Sequence, residues 1–339
     1  MKSGGGFRRR VLPLAAGALV TAIGALVLVP GVAGAAANCV SLGNAGNYAE
    51  YTTAGAAVDN ETVQGSAAYG SDSSLTSSTI ASLAGPPASQ DTLVVGGALG
   101  SSGGTVAHGS AIYVGSLTGS ISTPGGGTVT QVPLSSLPFP FPTAQSALVA
   151  ASGTFSSFTN TGTTTTGSTV TFTGSGTGTS TNVFSLAGTT LKAGTTLDIT
   201  APVGAVVVIN VTGTASLALK NQTVTLSGGV VAANVLWSFD AGALTLTSEK
   251  WQGTVLQPNG TMAVTSSTVT GSLLGGATGQ FTGNTVDLGL FTGCVPPNLG
   301  AATPEAPLTI LLPLSAVAIG GLFYLFRRRK QRIGSIRIG

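Results

Sequence analysis

The sequence predicts a mainly β ectodomain, a right-handed parallel β-helix or solenoid with one flanking α-helix, followed by a C-terminal transmembrane helix. Three observations point there. Short β-branched and aromatic runs recur between glycine turns, the longest being Val206 to Gly213. Charged residues make up only 7% of the 339, against about 25% in ordinary soluble domains, which removes helical bundles from consideration. Only one stretch between the two termini carries a helical period. A β-sandwich is the alternative that the same features allow.

The chain opens on an export signal, residues 1–37. Lys2 and Arg8 to Arg10 form a positive n-region, Val11 to Val29 is apolar, and Ala33-Gly34-Ala35 or Ala35-Ala36-Ala37 offers a small-residue cleavage site. The apolar stretch nearly spans a bilayer, so an uncleaved anchor is the competing reading; Pro30 and the alanine-rich exit favour cleavage. Arg8-Arg9 raises the twin-arginine route. The ectodomain is expected to cover residues 38–295.

Cys39 and Cys294 are the only cysteines and stand at the two ends of that ectodomain. In an exported chain they are expected to form one disulfide that ties those ends together. Free or intermolecular thiols are the alternative, and a lipoprotein cysteine at Cys39 lacks its usual leucine-rich approach.

Residues 44–135 are rich in Gly and Ser. Thr92 to Val95, Ala111 to Val114 and Thr128 to Val132 each read as a short strand, with Gly-Gly pairs marking turns. No strict repeat period emerges, so the rungs are expected to be irregular. Pro138 to Pro142 breaks the β pattern. Ala144, Ala147, Leu148 and Ala151 then fall at i, i+3, i+4 and i+7, which predicts a helix over 143–153, capped by Thr143 and ended by Gly153. In Thr169-Val170-Thr171-Phe172-Thr173 the alternation is strict, and residues 221–226 and 243–247 repeat it. Hydroxyls are expected on one face and apolar side chains in the core.

After the ectodomain come a Pro-rich linker, 296–307, and an uncharged stretch, Leu308 to Phe326, long enough to cross a bilayer. Arg327-Arg328-Arg329-Lys330 follows at once. The positive-inside rule makes 327–339 a cytoplasmic tail and puts the ectodomain outside the cell. Pro304-Glu305-Ala306-Pro307 is similar to the Pro-Glu-Pro type of bacterial C-terminal sorting signal, and no Leu-Pro-x-Thr-Gly is present for sortase.

A run ending Ile209 to Gly213 (I-N-V-T-G), then Leu236 to Phe239 (L-W-S-F), then Trp251 to Pro258 (W-Q-G-T-V-L-Q-P) resembles the choice-of-anchor A domain of bacterial surface proteins. Thr268 to Leu274, Ala67 to Gly70 and Thr143 to Phe155 sit where that family has a later strand, an early turn and a helix. The resemblance covers roughly residues 40–292, and only its last third is specific. Ser238 stands where the family usually has Asn, and Gln257 where it has Ala. The resemblance implies an adhesin-like role with no catalytic residue.

The residues agree. Ten of the 13 basic residues lie at the termini; between residues 38 and 306 only Lys192, Lys220 and Lys250 face ten acids, a net of −7. A pI of about 9.0 therefore does not mark a nucleic-acid binder. The one histidine, His108, sits in a Gly/Ser loop with no acid nearby, which reads as a solvated loop residue rather than a catalytic base. Asp59-Asn60-Glu61 reads as a surface turn, not a calcium loop. Zinc spacing is absent, and no cofactor is expected. Asp198, Asp240, Glu249 and Asp287 leave a glycosidase pair open, although the chain reads as a non-enzyme. Asn60, Asn210, Asn221 and Asn259 start N-x-Ser/Thr sequons. Thr169, Thr171 and Thr173 are the candidate binding face, for glycans, matrix surfaces or ice, with ordinary outer-face decoration as the alternative. The expected partners are the membrane, through one C-terminal span, and such extracellular surfaces, with no nucleic acid. The sequence thus describes a cell-surface protein, anchored in the membrane and non-enzymatic.

Overall fold

The computed structural model describes residues 39–83, 85–176 and 179–299. Alternation sets the local structure. In Thr169–Thr173, Val170 and Phe172 are buried while the three threonines face outward. Strands this short cannot stand alone and bury their apolar side only by stacking. Among the described strands every pairing is parallel except that of Thr163–Thr165 with Thr169–Thr173. Stacked parallel rungs make a β-helix; the face-to-face antiparallel sandwich does not form.

Three stacks enclose the core. The first runs through Thr181–Ala187, residues 206–211, residues 235–239, Thr254–Gln257, Leu273–Gly275, Glu50–Thr52, Ala67–Tyr69, Asp91–Val95, Ser110–Tyr113 and Val129–Gln131. The second, the threonine sheet, runs through Thr169–Thr173, Thr196–Thr200, Thr223–Ser227, Lys250–Gln252, Thr268–Gly271, Thr285–Leu288, Thr62–Val63, Thr79–Ile80 and the end of Leu99–Val106. The third carries mostly small outward residues, among them Ala263, Ala57, Ser74 and Gly100.

The stacking order is not the chain order. Residues 50–131 build one part of the stack and residues 163–288 the other. They meet at a seam where Glu50–Thr52, Ala56–Asp59 and Thr62–Val63 lie on Leu273–Gly275, Gly279–Thr282 and Thr285–Leu288. The helix Phe141–Ser156 carries the chain back across the first sheet. Its Phe141 carbonyl accepts from Tyr51 Oη at the seam (3.1 Å), and its Phe155 carbonyl accepts from Asn210 Nδ2 (2.6 Å). Fourteen residues separate those two carbonyls, about 21 Å of helix. Four strand steps separate Tyr51 from Asn210, about 19 Å at the usual spacing. Helix length and rung number therefore match.

The helix starts two residues before the expected Thr143, with Pro140 at the N-cap and Pro142 in the first turn, and it runs through Gly153 to Ser156. Proline fits the first turn because no N–H is needed there. Phe141, Ala144, Leu148, Ala151 and Phe155 are buried against a ladder on the first sheet that includes Val208, Leu274, Tyr51, Ala68 and Val94. Two runs expected as single strands are each divided at a corner. Gly253, at φ 107°, separates Lys250–Gln252 from Thr254–Gln257, and Thr268–Gly271 ends before Leu273–Gly275. Trp237 and Trp251, from successive rungs, lie fully inside with ring centroids 4.7 Å apart, and Phe172 meets Trp237 edge-on at 5.7 Å.

Cys39 and Cys294 are bonded, Cα to Cα 5.0 Å. Both flank the seam, so the bridge joins the two halves of the stack where no continuous chain does. The export signal (1–37), the linker from residue 300, the span Leu308 to Phe326 and the tail 327–339 lie outside the described residues; among those described, no helix is long and apolar enough to cross a membrane.

Candidate binding face

The corner entering the threonine sheet is built the same way on rung after rung. A residue in the left-handed region comes first: Asn221, Ser248, Ser266, Gly283, Asn60 and Ser77, all with φ between 49° and 65°. The next side chain turns inward and is buried: Gln222, Glu249, Ser267, Asn284, Glu61 and Ser78. The third faces out: Thr223, Lys250, Thr268, Thr285, Thr62 and Thr79. Gly283 and the two asparagines suit the first place because they tolerate the left-handed conformation better than other residues, and the three serines adopt it in the same corner.

The inward residues form a polar spine. The Gln222 backbone N donates to Glu249 Oε2 (2.7 Å), Glu249 N to Ser267 Oγ (3.1 Å), and Ser267 N to Asn284 Oδ1 (3.0 Å). Asn284 Nδ2 donates to Glu61 Oε1 (3.2 Å), and Glu61 N donates to Ser78 Oγ (3.2 Å). Each rung thus fixes the height of the next. Glu61 is therefore not part of a surface turn. Asp59 stays half-exposed and Asn60 exposed, but the corner turns Glu61 into the core.

The outward residues form the face. Thr169, Thr196, Thr223, Lys250, Thr268, Thr285, Thr62, Thr79 and Thr105 stand in one register line. Thr171 pairs with Asp198 and then Thr225, and Thr173 pairs with Thr200 and then Ser227. Strand spacing puts neighbouring rungs about 4.8 Å apart, and outward positions along one strand about 6.6 Å apart. Hydroxyls and methyls therefore repeat in two directions. Charges interrupt them: Lys250, Asp198, which accepts from Thr225 Oγ1, and Asp287, which accepts from Gln64 Nε2 (2.6 Å).

The remaining carboxylates do not converge. Asp198 and Asp287 share the face but lie four strand steps apart, about 19 Å, well beyond the roughly 5–9.5 Å of glycosidase pairs. Asp240 is exposed, and Glu249 is buried with a backbone N–H on its carboxylate. Burial pushes Glu249 up to about 7. His108 is half-buried in its loop. Among the described residues no group of three or more His, Cys, Asp or Glu is placed to hold a metal.

One acidic pair does meet, inside the seam. Glu50 and Glu61 are both buried and their carboxyls are in contact. Tyr69 Oη donates to Glu50 Oε2 (2.6 Å) and Asn284 Nδ2 to Glu61 Oε1. Glu50 Oε1 and Glu61 Oε2 have no other partner. One proton shared by the two carboxyls removes the repulsion between two buried charges. Burial raises both groups above the usual carboxylate range, Glu61 further because Glu50 carries charge beside it.

The family described as "Putative Ice-binding-like adhesive domain" matches residues 41–284. The chain belongs to this family. The match agrees with the expected adhesive surface domain at that level, and it is to this family rather than to choice-of-anchor A. Among solved structures, the chain is similar to an ice-binding protein from the Antarctic ascomycete Antarctomyces psychrotrophicus, at 16% identity and TM-score 0.36, covering 74% of this chain and 98% of that one. An ice-binding protein from an Antarctic biological consortium is 18% identical at TM-score 0.38, covering 73% and 90%. The ice-binding protein 1 domain of Shewanella frigidimarina is 16% identical at TM-score 0.33, covering 74% and 98%. No curated protein matches.

Proposed function

We propose that this chain is a non-enzymatic adhesive protein that holds a repetitive, hydroxyl-rich surface through its threonine sheet, tethered to the cell by Leu308 to Phe326 with residues 327–339 inside. The observation that carries the reading is the outward line from Thr169 to Thr105, eight threonines and one lysine in register. Neutral hydroxyls bind by hydrogen bonds and methyl contacts without the cost of stripping water from ions. Membership of an adhesive family supports it. Polysaccharide is favoured over ice because Lys250, Asp198 and Asp287 place strongly hydrated charges within the array.

The experiment is pull-down of the full-length chain on insoluble polysaccharides and in growing ice, with Thr62→Lys and Thr173→Lys as variants. Both positions are exposed, so folding should survive. Loss of polysaccharide binding in both variants is expected; unchanged binding overturns the reading. Ice is the second reading, favoured by the two-directional threonine repeat and the family description. Capture of the chain in growing ice, with no retention on polysaccharide, decides for it.

A further inference from the structure

The threonine line has one exception, and it coincides with a notch. The strand Lys250–Gln252 meets Thr223–Ser227 through a single pair, Thr223 with Lys250, and Gly253 then turns the chain away. Thr225 to Ser227 therefore have no strand beside them on that side, although they pair fully on the other. The Gln252 side chain reaches across instead, Nε2 donating to the Val224 carbonyl (3.2 Å). The result is a depression of about 350 Å³ bounded by Thr223, Thr225, Lys250, Gln252, Thr268 and Thr270.

Its chemistry differs from the rest of the face. Lys250 is exposed and has no ion-pair partner among the described residues. The other described lysines lie elsewhere: Lys192 in a loop and Lys220 at the end of a third-sheet strand. Four threonines and Gln252 line the notch together with Lys250, the Thr225 hydroxyl donating to Asp198 on the neighbouring strand, and Val224 and Trp251 supply apolar surface at its floor. A volume of this size sits at the lower end of small-molecule sites, roughly 300–1,000 Å³. One cation, several neutral hydrogen-bonding groups and a small apolar surface fit one ring that bears hydroxyls and a single acid.

We propose that this notch is a subsite for one anionic sugar residue of a polysaccharide, its acid on Lys250 Nζ and its hydroxyls on the surrounding threonines and Gln252. The proposal rests on the reading of the threonine sheet as a polysaccharide-binding face. An unpaired ammonium keeps its full donor capacity for the ligand, and a charge-assisted bond is about twice as strong as a neutral one.

The test measures retention of the full-length chain, wild type, Lys250→Gln and Lys250→Arg, on a polyuronate, a sulfated polysaccharide and a neutral glucan. Thermal midpoints serve as the folding control. Wild type should prefer an acidic polymer, and the polyuronate or sulfated arm that shows the preference tells carboxylate from sulfate. Lys250→Gln should lower that affinity about tenfold or more, and so narrow the gap between the acidic and neutral polymers, while leaving the midpoint unchanged. Lys250→Arg should retain the preference, and added salt should erode it in wild type. Equal binding of acidic and neutral polymers by wild type, or an acid preference that survives Lys250→Gln, overturns the notch and leaves the threonine reading standing. Failure of wild type to bind any of the three polymers overturns both.

Discussion

Replacing Glu61 by Gln tests the proton held at the seam. In the wild type the Glu61 carboxyl meets that of Glu50, and its Oε1 accepts from Asn284 Nδ2. Gln keeps both geometries with an amide and needs no proton from solution. The sign follows from linkage. Both carboxyls titrate above their ordinary 4.5 when folded, so above that pH the folded state binds more protons than the unfolded chain. Stability is then greatest at and below about pH 4.5 and falls as pH rises toward the folded-state values. One such proton gives a slope of about 1.4 kcal/mol per pH unit, or roughly 3–6 °C of midpoint per unit for a domain of this size. Glu249, raised to about 7, adds its own fall between about pH 4.5 and 7. The assay is circular dichroism melting between pH 4 and 8 with the disulfide intact. Wild type should lose midpoint steadily with rising pH, and Glu61→Gln should show a slope shallower by about one proton. A wild-type midpoint that climbs from pH 4 to 7, or a variant slope equal to wild type, refutes the shared proton.

Further outcomes follow from the fold. Reduction of Cys39–Cys294, or the double Ser variant, should cost up to about 5 kcal/mol by the loop model for a separation of 255 residues, read as the difference between oxidised and reduced midpoints. Trp237→Ala should cost about 3–5 kcal/mol in denaturant melts, because the side chain is fully buried among Phe172, Trp251 and its own rung. Gly260→Ala should fail to fold or lose several kcal/mol, since a Cβ there would lie 1.8 Å from the Gly242 carbonyl oxygen; a normal melt for this variant contradicts the close packing of those rungs.

Much of this was open to reading in the sequence, and the limits have physical causes. Strict alternation in Thr169–Thr173 was enough to place its threonines outside, because a strand has only two faces. The helix was legible from its alanine stripe, but its start was not, since proline at the first turn looks like a breaker until the missing N–H is counted. The rung signal was present as well. Asn221-Gln222-Thr223, Ser248-Glu249-Lys250, Ser266-Ser267-Thr268, Gly283-Asn284-Thr285, Asn60-Glu61-Thr62 and Ser77-Ser78-Thr79 are one corner written six times. Searching for a fixed period misses it, because the spacing between successive corners changes with the length of the other two sides. Asp59-Asn60-Glu61 reads as a surface turn because its polar residues stand together, and nothing local shows that the third of them turns inward.

The seam is the part that local pattern does not encode. Nothing near Glu50 says that it will lie on Leu273, more than two hundred residues away. The helix decides it by length. Fourteen residues between Phe141 and Phe155 span about 21 Å, which returns the chain past four strand steps, so that the rungs built afterwards arrive back against the first. A helix one turn shorter would leave one rung without its cover, exposing an outward apolar residue such as Val208 that is now buried. The polar pair Glu50–Glu61 and the disulfide both sit where that closure is made, at the junction where the backbone ladders join segments more than two hundred residues apart instead of consecutive rungs. The seam is accordingly where pH and reducing agents should act most strongly on this fold, while the threonine face is reinforced on each side of it by the same corner repeated rung by rung.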